Sequence, residues 1–248
     1  MSARVACVVL SLVSLGMVAF GGEGAAADAG KIKVLVVSGG HGFQEPQFFK
    51  MFEDNPDITF IKASHAKTSE VYEREDLPSF DVVVLYDLWQ NITDAQKAKF
   101  LGLFEKGTGL VVLHHALADY QAWPEFEKAV GGKFFLAPEK KDGVVVTPQS
   151  GTGGGELALH IVSKEHPVTA GMEDFKIRDE YYNKCRVDPG VTKLVTTENP
   201  GNQPEVAWCR EQGKSRVVYI MSGHDQQVYN TPTYRKLLAN AIRWAARK

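Results

Sequence analysis

The chain has 248 residues, and its 28 lysines and arginines nearly balance its 30 aspartates and glutamates, for a formal net charge of −2. This balance argues against a nucleic-acid binder, which needs a basic surface to offset phosphate charge. Hydrophobic residues make up 44% of the chain and charged residues 23%, proportions typical of a globular domain. Three cysteines are too few for a disulfide scaffold.

The first 29 residues have the pattern of an export signal. Arg4 precedes an uncharged stretch over 5–20, and small residues follow as far as Ala29. A short basic region, an apolar core and a small-residue cleavage site are typical of a secretory signal. The core is shorter than the roughly 20 residues that span a membrane. We therefore expect residues 1–29 to be a cleaved signal and residues 30–248 to be one periplasmic or secreted domain, with no stable membrane span after cleavage. An uncleaved N-terminal anchor is the alternative.

The first half of this domain alternates apolar strands with helices. A helix is predicted from Pro46 to Glu53, and a second opens at a Thr93–Gln96 capping box and stops at Gly107. Continuous apolar runs predict strands buried on both faces; these strands are 31–38, 57–64, 81–86 and 109–113. The resulting order predicts an α/β fold with a mainly parallel sheet.

The second half is less regular. Helices are predicted over 123–130 and 233–246, and the glycine-rich segment 150–155 is expected to be a flexible loop or lid. Four further strands are predicted, over 143–147, 192–197, 205–210 and 215–221. We find no internal repeat and no clear linker, so a single domain is expected.

Histidines gather where this fold would place a ligand. In open α/β sheets, ligands bind beyond the carboxyl ends of the strands. Five of the seven histidines fall at or just after predicted strand ends, namely His41, His65, His114, His115 and His224. Neutral imidazoles with carboxylates can bind Zn²⁺, and imidazole also transfers protons near neutral pH. The alternative is that each histidine only stabilises its own loop.

Carboxylates and aromatic rings accompany the histidines. Asp87 follows the third predicted strand, and Asp225 follows His224. The segment 179–182 (Asp-Glu-Tyr-Tyr) suits a sugar site, because carboxylates accept hydrogen bonds from hydroxyls and rings cover apolar sugar faces. A solvated acidic turn with core tyrosines would have the same sequence. Gly39-Gly40-His41-Gly42 does not match a dinucleotide-binding loop, so no nucleotide cofactor is expected.

Five segments together carry a family resemblance. They are VLVVSGGHGF (34–43), GLVVLHHALADYQAWPEFEKAVGG (109–132), HPVTAGMEDFKIRDEYY (166–182), SRVVYIMSGHD (215–225) and NAIRWAA (240–246). From about Lys31 to Lys248 the chain resembles the ThuA-like (trehalose-utilisation) family of the class I glutamine amidotransferase-like superfamily. The resemblance implies a flavodoxin-like three-layer sandwich and a role in carbohydrate metabolism, with sugars oxidised at the 3-position as associated compounds.

The resemblance also implies site residues. Polar positions typical of the family map onto His41, His114 or His115, Glu180, Tyr182, His224 and Asp225. In true glutamine amidotransferases a cysteine nucleophile follows a central strand, where this chain has His114-His115. Neither Cys185 nor Cys209 follows such a strand, so cysteine-dependent glutamine hydrolysis is not expected. Whether these two cysteines pair is left open.

The sequence as a whole predicts an exported protein of carbohydrate metabolism. The leading hypothesis is an enzyme that acts on a sugar or 3-keto-sugar derivative, by isomerisation or by elimination or hydrolysis of a glycosidic bond. The predicted catalytic residues are His41, His114, Glu180 and His224, and the predicted substrate-binding residues are His115, Tyr182, Asp225 and Asp87. A divalent metal such as zinc would be held by His41, His114 and His224. The alternatives are a non-catalytic carbohydrate-binding module on a degenerate amidotransferase fold and a metal-dependent hydrolase of another substrate.

Overall fold

The computed structural model describes residues 30–248, of which Lys31–Lys248 form one compact unit. The predicted export signal, residues 1–29, lies outside the described residues. Within residues 30–248, no helix has the length and apolar character needed to cross a bilayer.

Thirteen strands are present in the described part of the chain. They are β1 (Ile32–Gly39), β2 (Ile58–Ala63), β3 (Val82–Asp87), β4 (Gly109–Leu113), β5 (Gly132–Lys133), β6 (Glu139–Lys141), β7 (Val144–Thr147), β8 (Gly151–Ile161), β9 (Phe175–Asn183), β10 (Arg186–Val187), β11 (Thr192–Thr196), β12 (Glu205–Gln212) and β13 (Ser215–Ile220). Nine form one sheet in the order β2-β1-β3-β4-β13-β12-β11-β8-β9. The first five strands in that order run parallel and the remaining pairings are antiparallel. The predicted α/β fold with a parallel sheet at its core is confirmed.

Over residues 30–248, five α-helices connect or cover these strands. They are α1 (Glu45–Glu53), α2 (Asp94–Lys106), α3 (Pro124–Val130), α4 (Gln226–Tyr229) and α5 (Pro232–Ala245). The predicted capping box is present, because Gln96 N donates to Thr93 Oγ1 and Thr93 N donates to Gln96 Oε1. Gly107 ends α2 in the left-handed conformation, which a residue without a Cβ adopts at little cost. Helix α5 packs on β4 and β13, and its buried side chains include Leu238 and Ile242. Each such side chain contributes roughly 1.5–3 kcal/mol.

The parallel strands end together at one edge of the sheet. Every residue of β3 and β4 is buried, as expected for strands covered on both faces. The register aligns Gly39 of β1 with Asp87 of β3, and Leu113 of β4 with Ile220 of β13. The segments that follow β1, β4 and β13 therefore start side by side, and they carry the histidines of the predicted site.

The glycine-rich segment 150–155 is not the predicted flexible loop or lid. Its glycines begin β8, which pairs along its length with β9, so that Gly154 lies opposite Glu180. A Cβ at Gly153 would overlap the ring of Tyr181, which packs against the bare backbone. Glycine-rich sequence argues against a strand in isolation, and here pairing with β9 outweighs that preference.

Candidate active site

Three side-chain atoms from three elements meet beyond the strand ends. His114 Nε2 lies 3.2 Å from Glu180 Oε2 and 3.3 Å from His224 Nδ1, and the third side of this triangle, between His224 Nδ1 and Glu180 Oε2, is 3.4 Å. His114 follows β4, Glu180 lies on β9, and His224 follows β13. Residues far apart in sequence thus form one compact group of potential ligands.

His114 is held in a defined orientation. Its Nδ1 lies 2.7 Å from the carbonyl oxygen of Met221. Because a carbonyl oxygen only accepts, Nδ1 carries the hydrogen, and in the neutral ring Nε2 then presents a lone pair to Glu180. Tyr182 stacks on the imidazole at 4.8 Å between ring centroids, and Tyr219 donates to the carbonyl oxygen of His114. These contacts support a left-handed backbone at His114 (φ 49°), a conformation that costs a non-glycine residue energy.

His224 is positioned through its backbone. The buried carboxyl of Asp179 accepts hydrogen bonds from Gly223 N at 2.9 Å and His224 N at 3.1 Å. From the other side, the hydroxyl of Tyr86 donates to the carbonyl oxygen of Gly223 at 2.8 Å, and the hydroxyl of Tyr229 donates to the carbonyl oxygen of His224 at 3.0 Å. Both peptide groups of the Gly223–His224 turn are therefore held, while the His224 ring stays partly exposed.

Burial and charge act in opposite directions on the two adjacent carboxyls. Burial alone would raise the pKa of Glu180, but the hydrogen bond and charge of His114, together with the charge of His224, lower it overall. Burial raises the pKa of Asp179, although His114 and the backbone N–H groups that it accepts oppose the shift. Glu180 is thus the carboxyl suited to carry a negative charge beside the histidines.

His41 and His115 form a second layer beside the triangle. Their ring centroids are 4.6 Å apart, and His41 lies 6.3 Å from the ring of His224. His41 is exposed in the turn after β1, whereas His115 is buried against Tyr86. Burial, followed by the charges of His114 and His41, lowers the pKa of His115 to about 2, so that this ring stays neutral at ordinary pH. Of the two adjacent histidines, His114 supplies an atom of the triangle.

The triangle has the size expected for ligands of a divalent metal. Zinc binds imidazole nitrogen at about 2.0–2.1 Å, so two ligands on a tetrahedral ion stand about 3.3–3.4 Å apart. The three measured separations, 3.2, 3.3 and 3.4 Å, match this value. With the hydrogen of His114 on Nδ1, two acceptor atoms also face each other at 3.2 Å, an arrangement that a proton or a cation stabilises. The residues therefore fit a metal, although His41 is not one of the three.

The remaining predicted residues occupy different surroundings. Asp225 lies next to the site but caps α4 by accepting from Gln227 N. The position of Asp87 does not support the predicted role in substrate binding, because its side chain is 1% exposed and faces His65 in the interior. Tyr182 is buried behind His114, where it orients the ring.

Sequence reasoning did not identify the residues that position His224. Asp179 was visible next to Glu180, and alternation along a strand would have placed the two carboxyls on opposite faces. That signal was hidden because 175–183 was not recognised as a strand. Tyr86 ends an apolar run and has no sequence feature that connects it to a turn 137 residues away.

Comparisons with known proteins identify the family of the chain. A family model described as "Trehalose utilisation" (ThuA) matches residues 33–245. The chain belongs to the ThuA family. Its description indicates a carbohydrate-related function, and the predicted family resemblance is confirmed. No curated protein sequence is significantly similar to the chain.

Solved structures share the ThuA fold. One is a putative ThuA-like protein from Parabacteroides merdae, 21% identical, with a TM-score of 0.74 over 87% of this chain and 90% of that one. A second, from Bacteroides uniformis, is 23% identical, with a TM-score of 0.64 over 86% and 91% of the two chains. A cytoplasmic protein from Salmonella typhimurium LT2 is 12% identical, with a TM-score of 0.59 over 86% and 99%. At these identities the likeness concerns the fold.

The two described cysteines of this ThuA protein lie outside the histidine triangle. Cys185 and Cys209 are both free, and burial raises the pKa of each thiol to about 12. Cys209 Sγ lies 3.5 Å from His166 Nε2, but Val168 N donates to Nδ1 of that ring. The hydrogen of the neutral ring is therefore on Nε2, so His166 donates toward the thiol and does not act as its base.

Proposed function

We propose that the chain is an enzyme that acts on a sugar or 3-keto-sugar derivative at a divalent-metal site formed by His114, Glu180 and His224. The convergence of these three ligand atoms at 3.2–3.4 Å carries the proposal. Two imidazoles and one carboxylate with an open fourth position make a donor set typical of catalytic zinc. The carbohydrate-related description of the family supports a sugar as the substrate.

The chemistry follows from the acidity of carbon next to a ketone. A base removes the proton from C2 of a 3-keto-sugar, and the electron pair either moves onto the ketone oxygen or forms a C1–C2 double bond. In the second case the C1–oxygen bond breaks, and the leaving alcohol takes up a proton. A bound metal would supply Lewis-acid stabilisation of the developing oxyanion.

His41 is the side chain best placed to move these protons. It is exposed in the turn after β1, within reach of a ligand that enters over the His224 ring. The neutral ring of His115 packs against it at 4.6 Å between ring centroids. Imidazole exchanges protons effectively near neutral pH. Tyr182 and Asp179 hold His114 and His224 in place without touching the substrate.

Metal binding is tested first. Zn²⁺ titration by calorimetry of the chelator-treated protein should give one site, which His114→Ala, Glu180→Gln and His224→Ala each weaken at least tenfold. His160→Ala is the matched control, because His160 lies near the other end of β8, is partly exposed to solvent and pairs with Asp174. Wild-type protein that binds no Zn²⁺, Mn²⁺ or Co²⁺ would contradict the metal site.

The reaction is tested with a 3-keto-glucoside followed by NMR. The metal-loaded wild-type protein should consume it, and His41→Ala should lose most of the rate while still binding Zn²⁺. Loss of the C2 proton signal into D₂O would identify proton abstraction directly. Binding of the sugar without turnover would favour the non-catalytic carbohydrate-binding module and refute the enzyme.

We also propose that the chain is exported. The support is the pattern of residues 1–29, with one basic residue, an uncharged apolar core and small residues up to Ala29. The intact mass of the mature protein, purified from cells that express the full chain, should lack about 27–29 residues. A mature protein that retains Met1 or Ser2 would contradict cleavage.

A further inference from the structure

A second group of buried polar side chains lies behind the histidine layer. Asp87 at the end of β3 and Asp119 after the 3-10 helix His114–Ala118 are 0% and 2% exposed. Asp119 lies beside the end of β3, because its Oδ1 accepts from the backbone N–H of Trp89, two residues after Asp87. Burial, the charge of Asp87 and a side-chain hydrogen bond with it are among the causes that raise the pKa of Asp119. No lysine or arginine forms an ion pair with either carboxyl among the described residues. Two adjacent carboxylates in such surroundings repel each other and lose the hydration that water would provide.

The oxygen atoms of this pair lack hydrogen-bond donors. Within residues 30–248, neither oxygen of Asp87 accepts a hydrogen bond, nor does Oδ2 of Asp119. Only Oδ1 of Asp119 has a partner, the backbone N–H of Trp89 at 2.6 Å. A proton placed between the two carboxyls would make one of them a donor and satisfy an oxygen of each.

We propose that Asp87 and Asp119 share a single proton at neutral pH and that the resulting pair is a positioning device for the turn that carries His41. In this arrangement the pair has a charge of −1, with one neutral acid donating to one carboxylate. Burial and the charge of Asp87 raise the pKa of Asp119 well above its usual range, in agreement with a retained proton.

The connection to His41 runs through Leu88 and Trp89. Asp119 holds Trp89 N, and Leu88 N donates to the carbonyl oxygen of Gly39 at 2.9 Å. Gly40 adopts a left-handed backbone (φ 72°) directly against Leu88, where a Cβ would overlap the Leu88 carbonyl. His41 follows immediately. Its importance for catalysis depends on the proposed function, whereas the shared proton does not.

Three other titratable side chains face the pair, namely His65, Tyr72 and Tyr120. His65 Nε2 lies 3.5 Å from Asp87 Oδ2 and 3.5 Å from the hydroxyl of Tyr120, which in turn lies 3.3 Å from that of Tyr72. The hydroxyl of Tyr120 also lies 3.0 Å from Ser69 Oγ. Burial raises the pKa of both tyrosines well above their usual range, so neither phenol ionises near neutral pH. The phenols are therefore excluded as the site of the proton, and the infrared band of a protonated carboxyl separates the aspartates from His65.

The pH dependence of the unfolding equilibrium shows whether the folded chain holds this extra proton. In the unfolded chain both aspartates are ionised above about pH 5, since their pKa is about 3.9 there. Unfolding then releases the shared proton, and its stabilising effect is lost as the pH rises. Release of this one proton on unfolding multiplies the unfolding equilibrium constant by about ten for each unit of rising pH. Asp119→Asn keeps the shape of the side chain, the hydrogen bond from Trp89 N and the charge of −1 on the pair. It has no proton that titrates between pH 5 and 7. Its urea-unfolding constant between pH 5 and 7 should lack that tenfold-per-unit contribution.

Controls separate this result from general effects of acid removal. Asp142→Asn removes an exposed carboxyl and should keep the wild-type slope. Asp87→Asn should lose the same contribution as Asp119→Asn, and it replaces that variant if the latter does not fold. Equal slopes in wild type and in these variants would overturn the shared proton. So would the absence of a protonated-carboxyl infrared band from the folded wild type at pH 7.

The positioning role is measured by NMR. A variant without an acceptor for Trp89 N (Asp119→Leu, or Asp119→Ala if the first does not fold) should shift the Trp89 and Gly40 amide signals and the His41 ring signals. Asp119→Asn should restore them to nearly wild-type values. If the Gly40 and His41 signals of the acceptor-free variant match the wild type, the positioning role is wrong, whatever the outcome of the sugar assays.

Discussion

Asp179→Asn tests how the Gly223–His224 turn is held. The carboxyl accepts three backbone N–H groups, from Gly223 and His224 on the turn and from Glu180 at 2.9 Å. An asparagine side chain of the same shape has one acceptor oxygen and one NH₂ group. If its oxygen faces His224 and Glu180, its NH₂ group faces the Gly223 N–H, where two donors meet.

The expected loss follows from that single mismatch. Leaving one buried N–H without an acceptor costs about 1–3 kcal/mol. For a domain of this length, each kcal/mol lowers the melting temperature by about 2–4 °C, so a decrease of about 2–12 °C is expected. A displaced turn should also move the His224 ring away from His114 and Glu180. Loss of such an outer partner typically reduces metal affinity by about 10–100-fold.

Thermal unfolding by circular dichroism and Zn²⁺ calorimetry measure the two effects separately. Asp225→Asn is the matched control, because asparagine replaces aspartate well at a helix N-cap and the side chain is outside the triangle. Asp179→Asn with a wild-type melting temperature would refute the argument from hydrogen bonds. A lower melting temperature with unchanged Zn²⁺ affinity would show that the turn does not position His224.

Three further predictions concern the rest of the domain. Gly40→Ala should destabilise the fold by about 2–5 kcal/mol in urea unfolding, because its backbone is left-handed and a Cβ would overlap Leu88. Gly143→Ala, at φ 80° with open space around it, should lose only the part due to the backbone. Equal losses in the two variants would contradict the overlap. Burial would raise the pKa of Glu205, but hydrogen bonds from Lys193 and Gln203 lower it overall. The ionised Glu205 therefore stabilises the fold above about pH 4.3, and this stabilisation is lost as the pH falls through the lower pKa of the folded state. Glu205→Gln should therefore lose less stability than wild type between pH 6 and 3, and parallel curves would disprove this. Both described cysteines should resist a thiol reagent until the chain unfolds, because burial raises each pKa to about 12, and rapid native labelling would contradict their environment.

The parallel half of the fold was predictable because its strands are buried on both faces. Such strands read as continuous apolar runs, and β1, β3, β4 and β13 all do so. The hairpin of β8 and β9 was missed because glycines occupy the start of one strand and charges interrupt the other. Its stability comes from pairing and from contacts such as Tyr181 over Gly153, which depend on residues far apart in sequence.

The site was predictable in its members more than in their arrangement. The position of histidines after strand ends identified His41, His114 and His224, since parallel strands end at one edge. The sequence offered no means to separate Asp87 from that group, because an aspartate at the end of a buried strand can point to the crevice or to the interior. The structure places it inward, toward His65.

The two histidines of the triangle are fixed by different means, and this difference has a consequence for ligand entry. His114 uses a ring nitrogen to bind Met221, so its orientation and tautomer are determined. His224 is positioned through its peptide groups, and its side chain, which is 40% exposed, contacts His114 and Glu180 through Nδ1. A ligand that enters beside His41 would therefore meet the exposed ring of His224 before the buried ring of His114, whose side chain is 1% exposed. For the proposed sugar substrate, this arrangement would place the reacting centre against the imidazole of fixed tautomer and the other hydroxyl groups toward the exposed ring.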